Sequence, residues 1–322
     1  MDRAGSAGRA VIWVLPVARR GGPMTSSALG REIRFRHLGS PEEFHEAEAL
    51  QIAAWGMTEE HPVPHPLQRA MADNGGLLLG AFRESQLAGF CLGFLGRDQG
   101  RLFHYSHMTA VRPEFQNQHL GYRLKLYQRE EVLKQDLTEI RWTYDPLQSR
   151  NAFLNVRRLG ARPSAYHEQY YGSMGSEINR GLETDRLAVS WELTAPTVTD
   201  RVQGRYPTKE QDRARWHESQ ALVETETDRS EVRVPTGGSA PSSPHVTIEI
   251  PADLSLIRDR RPDAVVAWRE ATRRAFLTCF EAGYRVDDFA VLSDRGGPRS
   301  FYFLSLGPSP GRVPPGPPRE AR

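Results

Sequence analysis

Across residues 33–193 the apolar pattern switches repeatedly between a two-residue period and one of three to four residues, an order few architectures accept. Ile33, Phe35 and His37 alternate with Glu32, Arg34 and Arg36, as on a half-buried strand. Ser40 then precedes Pro41-Glu42-Glu43, an N-cap, a Pro at the first helical position and two acids over the helix dipole. That helix is expected to reach about Trp55. A Pro- and His-rich loop over 61–66 leads into a shorter helix over 67–73. Strands are expected over 77–83, 87–95 and 102–111, then a helix over 120–135 with Leu120, Leu124 and Tyr127 on one row. A strand over 140–144, a helix over 149–159 ended by Gly160, and strands over 164–171 and 187–193 complete the order βααβββαβαββ. Sequence therefore predicts an α/β (α+β) chain built on a mixed sheet.

Composition changes after this. Residues 195–244 are rich in Thr, Pro, Gly, Ser and charge, and read as a linker with a helical excursion over 209–223. A small C-terminal βαββ appendage follows in 245–306: a strand over 246–250, a helix over 263–282 with Gly283 at its C′ position, and a final hairpin at 289–292 and 301–306. So small a piece is expected to pack on the first domain. Residues 1–30 read as a disordered extension and 307–322 as a disordered Pro/Gly-rich tail.

The 322 residues carry a formal net charge of +2 with basic and acidic side chains interspersed, which argues against a nucleic-acid partner. No apolar run approaches the ~18 residues needed to span a bilayer. The two cysteines, Cys91 and Cys279, lie in apolar runs and read as buried thiols, which fits a cytoplasmic protein.

The chemistry-bearing stretch is Met108-Thr-Ala-Val-Arg-Pro-Glu-Phe-Gln-Asn-Gln-His-Leu-Gly-Tyr-Arg-Leu-Lys125. A strand ends, a polar turn follows, and a helix opens whose first amides lack intrahelical acceptors and carry the positive end of the dipole. Such a turn suits a pyrophosphate, although any strand-to-helix turn exposes amides. The stretch resembles the acyl-CoA pyrophosphate loop of the GNAT superfamily, a Val-x-Pro followed by Gln/Arg-x-x-Gly-x-Gly/Ala. Gln116 takes the Gln/Arg place and Gly121 the final Gly/Ala place, while His119 stands where the middle Gly is usual. The run from Asp145 to Gly160 resembles the second GNAT signature, with Ala152, Leu159 and Gly160 in place and Ser149 or Asn151 where the family has Asn. Trp142-Thr143-Tyr144-Asp145-Pro146 with Asn151-Ala152 further resembles a subfamily that includes amino-acid N-succinyltransferases.

The resemblance covers about half the chain, 31–194. It implies a GNAT acyl-CoA N-acyltransferase fold with splayed middle strands. Pantetheine would lie between the strands ending at Val111 and Tyr144, paired with backbone near Thr109 and Val111. Gln116, Asn117, Gln118, His119, Leu120, Gly121 and Tyr122 would cradle the pyrophosphate, with Ser149 and Asn151 also on the cofactor. An acetyl or succinyl group would pass from CoA to a primary amine of a small molecule, with no metal and with a homodimer as one arrangement. His107 and His104 are the candidate bases, on opposite faces by strand alternation. The family's Tyr acid is replaced by Val156, so Tyr144 and Tyr170, with Tyr166 and Tyr171, are the candidate acids. The substituted Gly and the missing Tyr leave a second reading open, a non-catalytic GNAT that binds acyl-CoA as a regulatory or scaffold module.

Other features have plainer readings. His61 and His65 have metal-ligand spacing, but no acidic third ligand is evident. Arg157 and Arg158, and Arg269, Arg273 and Arg274, read first as solvated helix faces, with phosphate or carboxylate binding as the alternative. Trp55, Trp142 and Trp268 read as core.

Overall fold

The computed structural model describes residues 33–55, 62–116, 118–172, 183–294 and 296–307. The extension 1–30, the tail after Gly307, and Asn117 and His61 lie outside the described residues. The chain divides into two compact units.

The first unit holds the described residues up to Trp142, with Glu192–Thr194. Its elements are β1 (Ile33–His37), α1 (Pro41–Trp55), α2 (His65–Asp73), β2 (Leu77–Arg83), β3 (Gln86–Asp98), β4 (Arg101–Val111), a 3₁₀ turn at Pro113–Phe115, α3 (Leu120–Leu133) and the start of β5 (Glu139–Tyr144). The strands lie in the order β1-β2-β3-β4-β5. Pairing is antiparallel as far as β4 and parallel between β4 and β5, so the central sheet is mixed. Phe44, Ala47 and Leu50 of α1 pack with Phe82, Phe90 and Leu92 of the sheet. Leu120 and Leu124 of α3 pack with Ala81, Ala88 and Val111. Covered on both faces, β2 reads as a continuous apolar run rather than an alternating one. The order of elements agrees with the periodicity.

The second unit contains α4 (Ser149–Ala152), which continues as a π turn at Phe153–Arg158, then β6 (Arg162–His167) and β7 (Arg186–Glu192), paired antiparallel. The strand expected to reach 171 stops at His167, because Gln169 takes a positive φ of 45° and gives its N–H to Asp185. Gly160 has φ +71°, the left-handed conformation that favours Gly after a helix.

Residues 195–244 carry regular structure where composition predicts a linker. They form α5 (Pro196–Val202), α6 (Lys209–Glu218), β8 (Gln220–Ala221), β9 (Val223–Thr227) and β10 (Arg233–Gly238). A capping box starts α6: the Thr208 side chain accepts from the Gln211 N–H, and the Gln211 side chain accepts from the Thr208 N–H. The helix ends at Glu218 rather than 223, because Gln220 and Ala221 join a sheet beside Val246 and Thr247. Then come β11 (His245–Ile250), α7 (Leu254–Arg260), α8 (Pro262–Glu281), β12 (Tyr284–Asp294) and β13 (Gly297–Leu306), the sheet running β12-β13-β11-β8. Sequence reasoning missed α7, although Asp253 marks its start by accepting the N–H groups of Ser255 and Leu256. Gly283, at φ +86°, occupies the expected C′ position of α8.

Candidate functional site

The expected gap between strands begins at a short ladder. Parallel pairing of β4 with β5 in the first unit covers His104↔Ile140 and Tyr105↔Arg141. On its other edge β4 pairs with β3 as far as Gly89↔Val111, with one extra residue, His107, between Leu92↔Met108 and Gly93↔Ser106. That is a β-bulge, which bends its strand and re-aims a side chain. At the end of this ladder the Arg112 N–H donates to the Ala88 carbonyl at 2.9 Å. Antiparallel strands alternate their hydrogen-bonding edge, so Ala110 faces β3 while the backbone groups of Thr109 and Val111 face the other way. These are the two residues that the resemblance assigns to pantetheine. The Val111 carbonyl already accepts a hydrogen bond from Gln116 Nε2 at 3.2 Å, and Gln116 Oε1 is buried without a partner among the described residues.

Beyond the 3₁₀ turn, His119 is the N-cap of α3 with φ 57° and ψ 18°. This left-handed conformation is one that Gly adopts freely, whereas a side chain costs about 1 kcal/mol in that region. His119→Gly is accordingly expected to raise stability by about 0.5–1 kcal/mol in a urea titration; a loss of stability would mean that the His side chain holds the loop. Leu120 and Gly121 supply amides that helix geometry leaves without intrahelical acceptors, and both residues are buried. Gln118 and Tyr122 flank them.

Beneath α3 lies a polar cluster that sequence reasoning missed. His104 is fully buried, and its Nε2 accepts from the Gln128 amide at 3.0 Å. That contact assigns the proton to Nδ1, which has no partner among the described residues. Lys125, 5% exposed, donates to Ser106 Oγ at 2.7 Å and Gln128 Oε1 at 3.1 Å and lies 4.2 Å over the Trp142 ring. Gly93 makes room for the His104 imidazole, because a Cβ there would come within 2.1 Å of Nε2. Burial, then the Lys125 charge, lower the His104 pKa to about 3, and burial lowers Lys125 to about 8. His104 is therefore neutral and turned into the protein beneath α3, not toward an acceptor in solvent. The available signal was the polar pair Lys125 and Gln128, three residues apart beside the apolar row of α3.

His107 is placed differently. Its exposed side chain stands beside Phe94 and Tyr105, with ring centroids 6.1 and 6.4 Å away. Loss of solvation lowers its pKa from the ordinary imidazole value. Phe94 also lines an open groove of about 340 Å³ with Leu67, Ala70, Met71, Asn74, Gly76 and Leu95.

The remaining candidates lie in the second unit. Tyr144 is buried and hydrogen-bonded to the Tyr302 hydroxyl at 3.1 Å, and burial pushes its pKa well above the ordinary phenol value. Tyr302 in turn donates to the Pro146 carbonyl. Tyr166 is buried and donates to Asp185 at 2.6 Å. Those two phenols are held in structural contacts, whereas Tyr170 is 43% exposed, with its ring against His167 and Tyr171. Ser149 is buried against the Ser300 hydroxyl at 2.7 Å, and Asn151 is exposed. Arg157 is not a solvated residue: it is buried against Asp212, Asp288 and the Pro207 carbonyl. Arg269 is likewise buried, bonded to Asp145 at 2.8 Å, and Arg273 pairs with Asp185. Both cysteines are free and buried.

No family model matches the chain, and no curated protein matches it. Solved structures do. The solved structures it resembles include acetyltransferases. One is a chain of the NatC complex bound to Gag peptide and CoA, 17% identical over 51% of this chain and 99% of that one, with TM-score 0.42. Another is the ribosomal-protein-S18-alanine N-acetyltransferase from Escherichia coli, 16% identical over 51% and 96%, TM-score 0.40. A third is an acetyltransferase of the GNAT family from Streptococcus pneumoniae, 15% identical over 49% and 98%, TM-score 0.40. Among the described residues, no helix is long and apolar enough to cross a membrane.

Proposed function

We propose that this chain is a GNAT-type N-acyltransferase that moves an acetyl or succinyl group from CoA to a primary amine of a small molecule, amino acids being the first acceptors to test. One observation carries the reading. The β4–β5 ladder stops at Tyr105↔Arg141 while the backbone groups of Thr109 and Val111 face away from β3, just before the N-terminus of α3. A pantetheine arm adding to that edge would bring its pyrophosphate toward the amides of Leu120 and Gly121. Residues 31–194 would supply the acyl-CoA portion.

In this reading His107, re-aimed by the bulge, takes a proton from the incoming ammonium directly or through water. Its lowered pKa keeps it in the basic form at neutral pH. The groove beside Phe94 receives the apolar part of the acceptor. Free amine attacks the thioester carbon, the C–S bond breaks from the tetrahedral intermediate, and CoA leaves as thiolate, a leaving group stable enough to need no dedicated acid. His119 in the place of the middle Gly and Val156 in the place of the Tyr acid keep the non-catalytic alternative open, a GNAT that binds acyl-CoA without turnover.

The test is calorimetric titration with acetyl-CoA and succinyl-CoA, then thiol release against an amino-acid panel. Micromolar binding of one donor, weakened at least tenfold by Gln116→Glu, is expected. His107→Ala should reduce turnover by about 10²–10⁴-fold while leaving donor binding unchanged. Binding without thiol release from any acceptor would favour the scaffold reading, and no binding by folded protein would remove both.

A further inference from the structure

We propose that His45, Glu48 and His65 form a binding site for one divalent transition-metal ion, with zinc as the natural probe. His45 and Glu48 stand three residues apart on α1, and His65 opens α2. Tertiary packing of α1 on α2 brings one ligand atom from each to within 4.8 Å of the others. Sequence spacing directs attention to His61 and His65 and finds no acidic ligand. The fold instead pairs His65 with a carboxylate and an imidazole from the preceding helix.

The donor set has the right chemistry. Two imidazole nitrogens and one carboxylate oxygen suit zinc and its neighbours and suit magnesium poorly. His65 Nδ1 lies 2.9 Å from Glu48 Oε2. Two ligands bonded to zinc at about 2.0–2.1 Å in a tetrahedron stand about 3.3 Å apart, so this edge is nearly formed. The same Oε2 accepts the His65 backbone N–H at 2.9 Å, which fixes the carboxylate and supplies an outer-shell contact of the kind that orients metal ligands. The His45 and His65 ring centroids are 3.7 Å apart. His45 is exposed and both partners are part-exposed, leaving water access to the remaining coordination positions. None of this depends on the acyl-CoA reading, so the two proposals fail separately.

The test uses the full untagged chain after chelator treatment, titrated with zinc chloride by calorimetry at neutral pH. One zinc per chain is expected, with micromolar or tighter affinity and an excess of magnesium without effect. His45→Ala and Glu48→Gln should each weaken zinc at least tenfold, with folding checked by circular dichroism. The Gln retains an acceptor for the His65 N–H. His37→Ala, on β1, should bind as the parent does. Cobalt should give visible d–d absorption with the parent and lose it with Glu48→Gln. Absence of saturable zinc binding overturns the proposal, as does binding that neither variant changes.

Discussion

Replacing Arg157 with Met lowers folding stability by about 3–5 kcal/mol, the cost expected when one partner of a buried ion cluster is removed. The guanidinium meets Asp212 at 2.8 and 3.1 Å, Asp288 at 2.7 Å and the Pro207 carbonyl at 2.7 Å. Arg201 gives Asp288 a second bond at 2.8 Å. Without Arg157, two carboxylates remain buried with too few donors. Burial already raises the Asp212 pKa, with Arg157 opposing that shift. Arg157→Lys should recover only part of the loss, since one ammonium cannot serve a bidentate carboxylate, a second carboxylate and a carbonyl together. Denaturant titration reads the effect, and a loss under 1 kcal/mol would show that water reaches the cluster. If the chain binds acyl-CoA as proposed, that affinity measured on the folded fraction should not change. A loss there would return Arg157 to the phosphate-binding role that its sequence position also allows.

Stability is expected to fall as pH drops below the ordinary His range, with His104 as one cause. Its folded pKa is depressed to about 3, so the unfolded chain binds the proton more readily. The contribution is complete above the unfolded value and is lost as pH falls toward the folded one, at about 1.4 kcal/mol per pH unit. By about pH 4.5 the loss from this group reaches roughly 2–3 kcal/mol. Protonation would also require a second acceptor, and Gln128 Oε1 is already committed to Lys125 and Ser106. His104→Gln keeps a hydrogen-bond acceptor without titrating. It should be less stable than the parent at neutral pH, with the difference shrinking as the solution is acidified. Lys125, depressed to about 8, has the same sign in a higher window: stability rises between about pH 8 and the ordinary Lys value, and Lys125→Met should abolish that rise. Parallel pH profiles for parent and His104→Gln would show that the ring is not held neutral by burial.

The sequence by itself determined the order of elements in residues 33–193, because apolar period, caps and Gly positions are local properties. Gly283 and Gly160 end helices where expected, and the Val111–Gly121 turn was legible as a strand-to-helix junction. The His119 substitution was visible too, but its backbone conformation was not. Only the tertiary structure decided which polar residues are buried. Composition makes 195–244 a linker, yet Asp212 and Arg201 join a cluster with Arg157 and Asp288 from segments 55 to 131 residues apart. Thr208 and Gln211 recorded the helix start there, but no local signal recorded the cluster. His45, Glu48 and His65 likewise meet through the packing of two helices, which spacing along one chain does not encode. Periodicity reports which face of an element is covered; it does not report which charged groups find partners there. That depends on distances closed by long-range packing, where a buried charge is tolerated only if another segment brings its counterion.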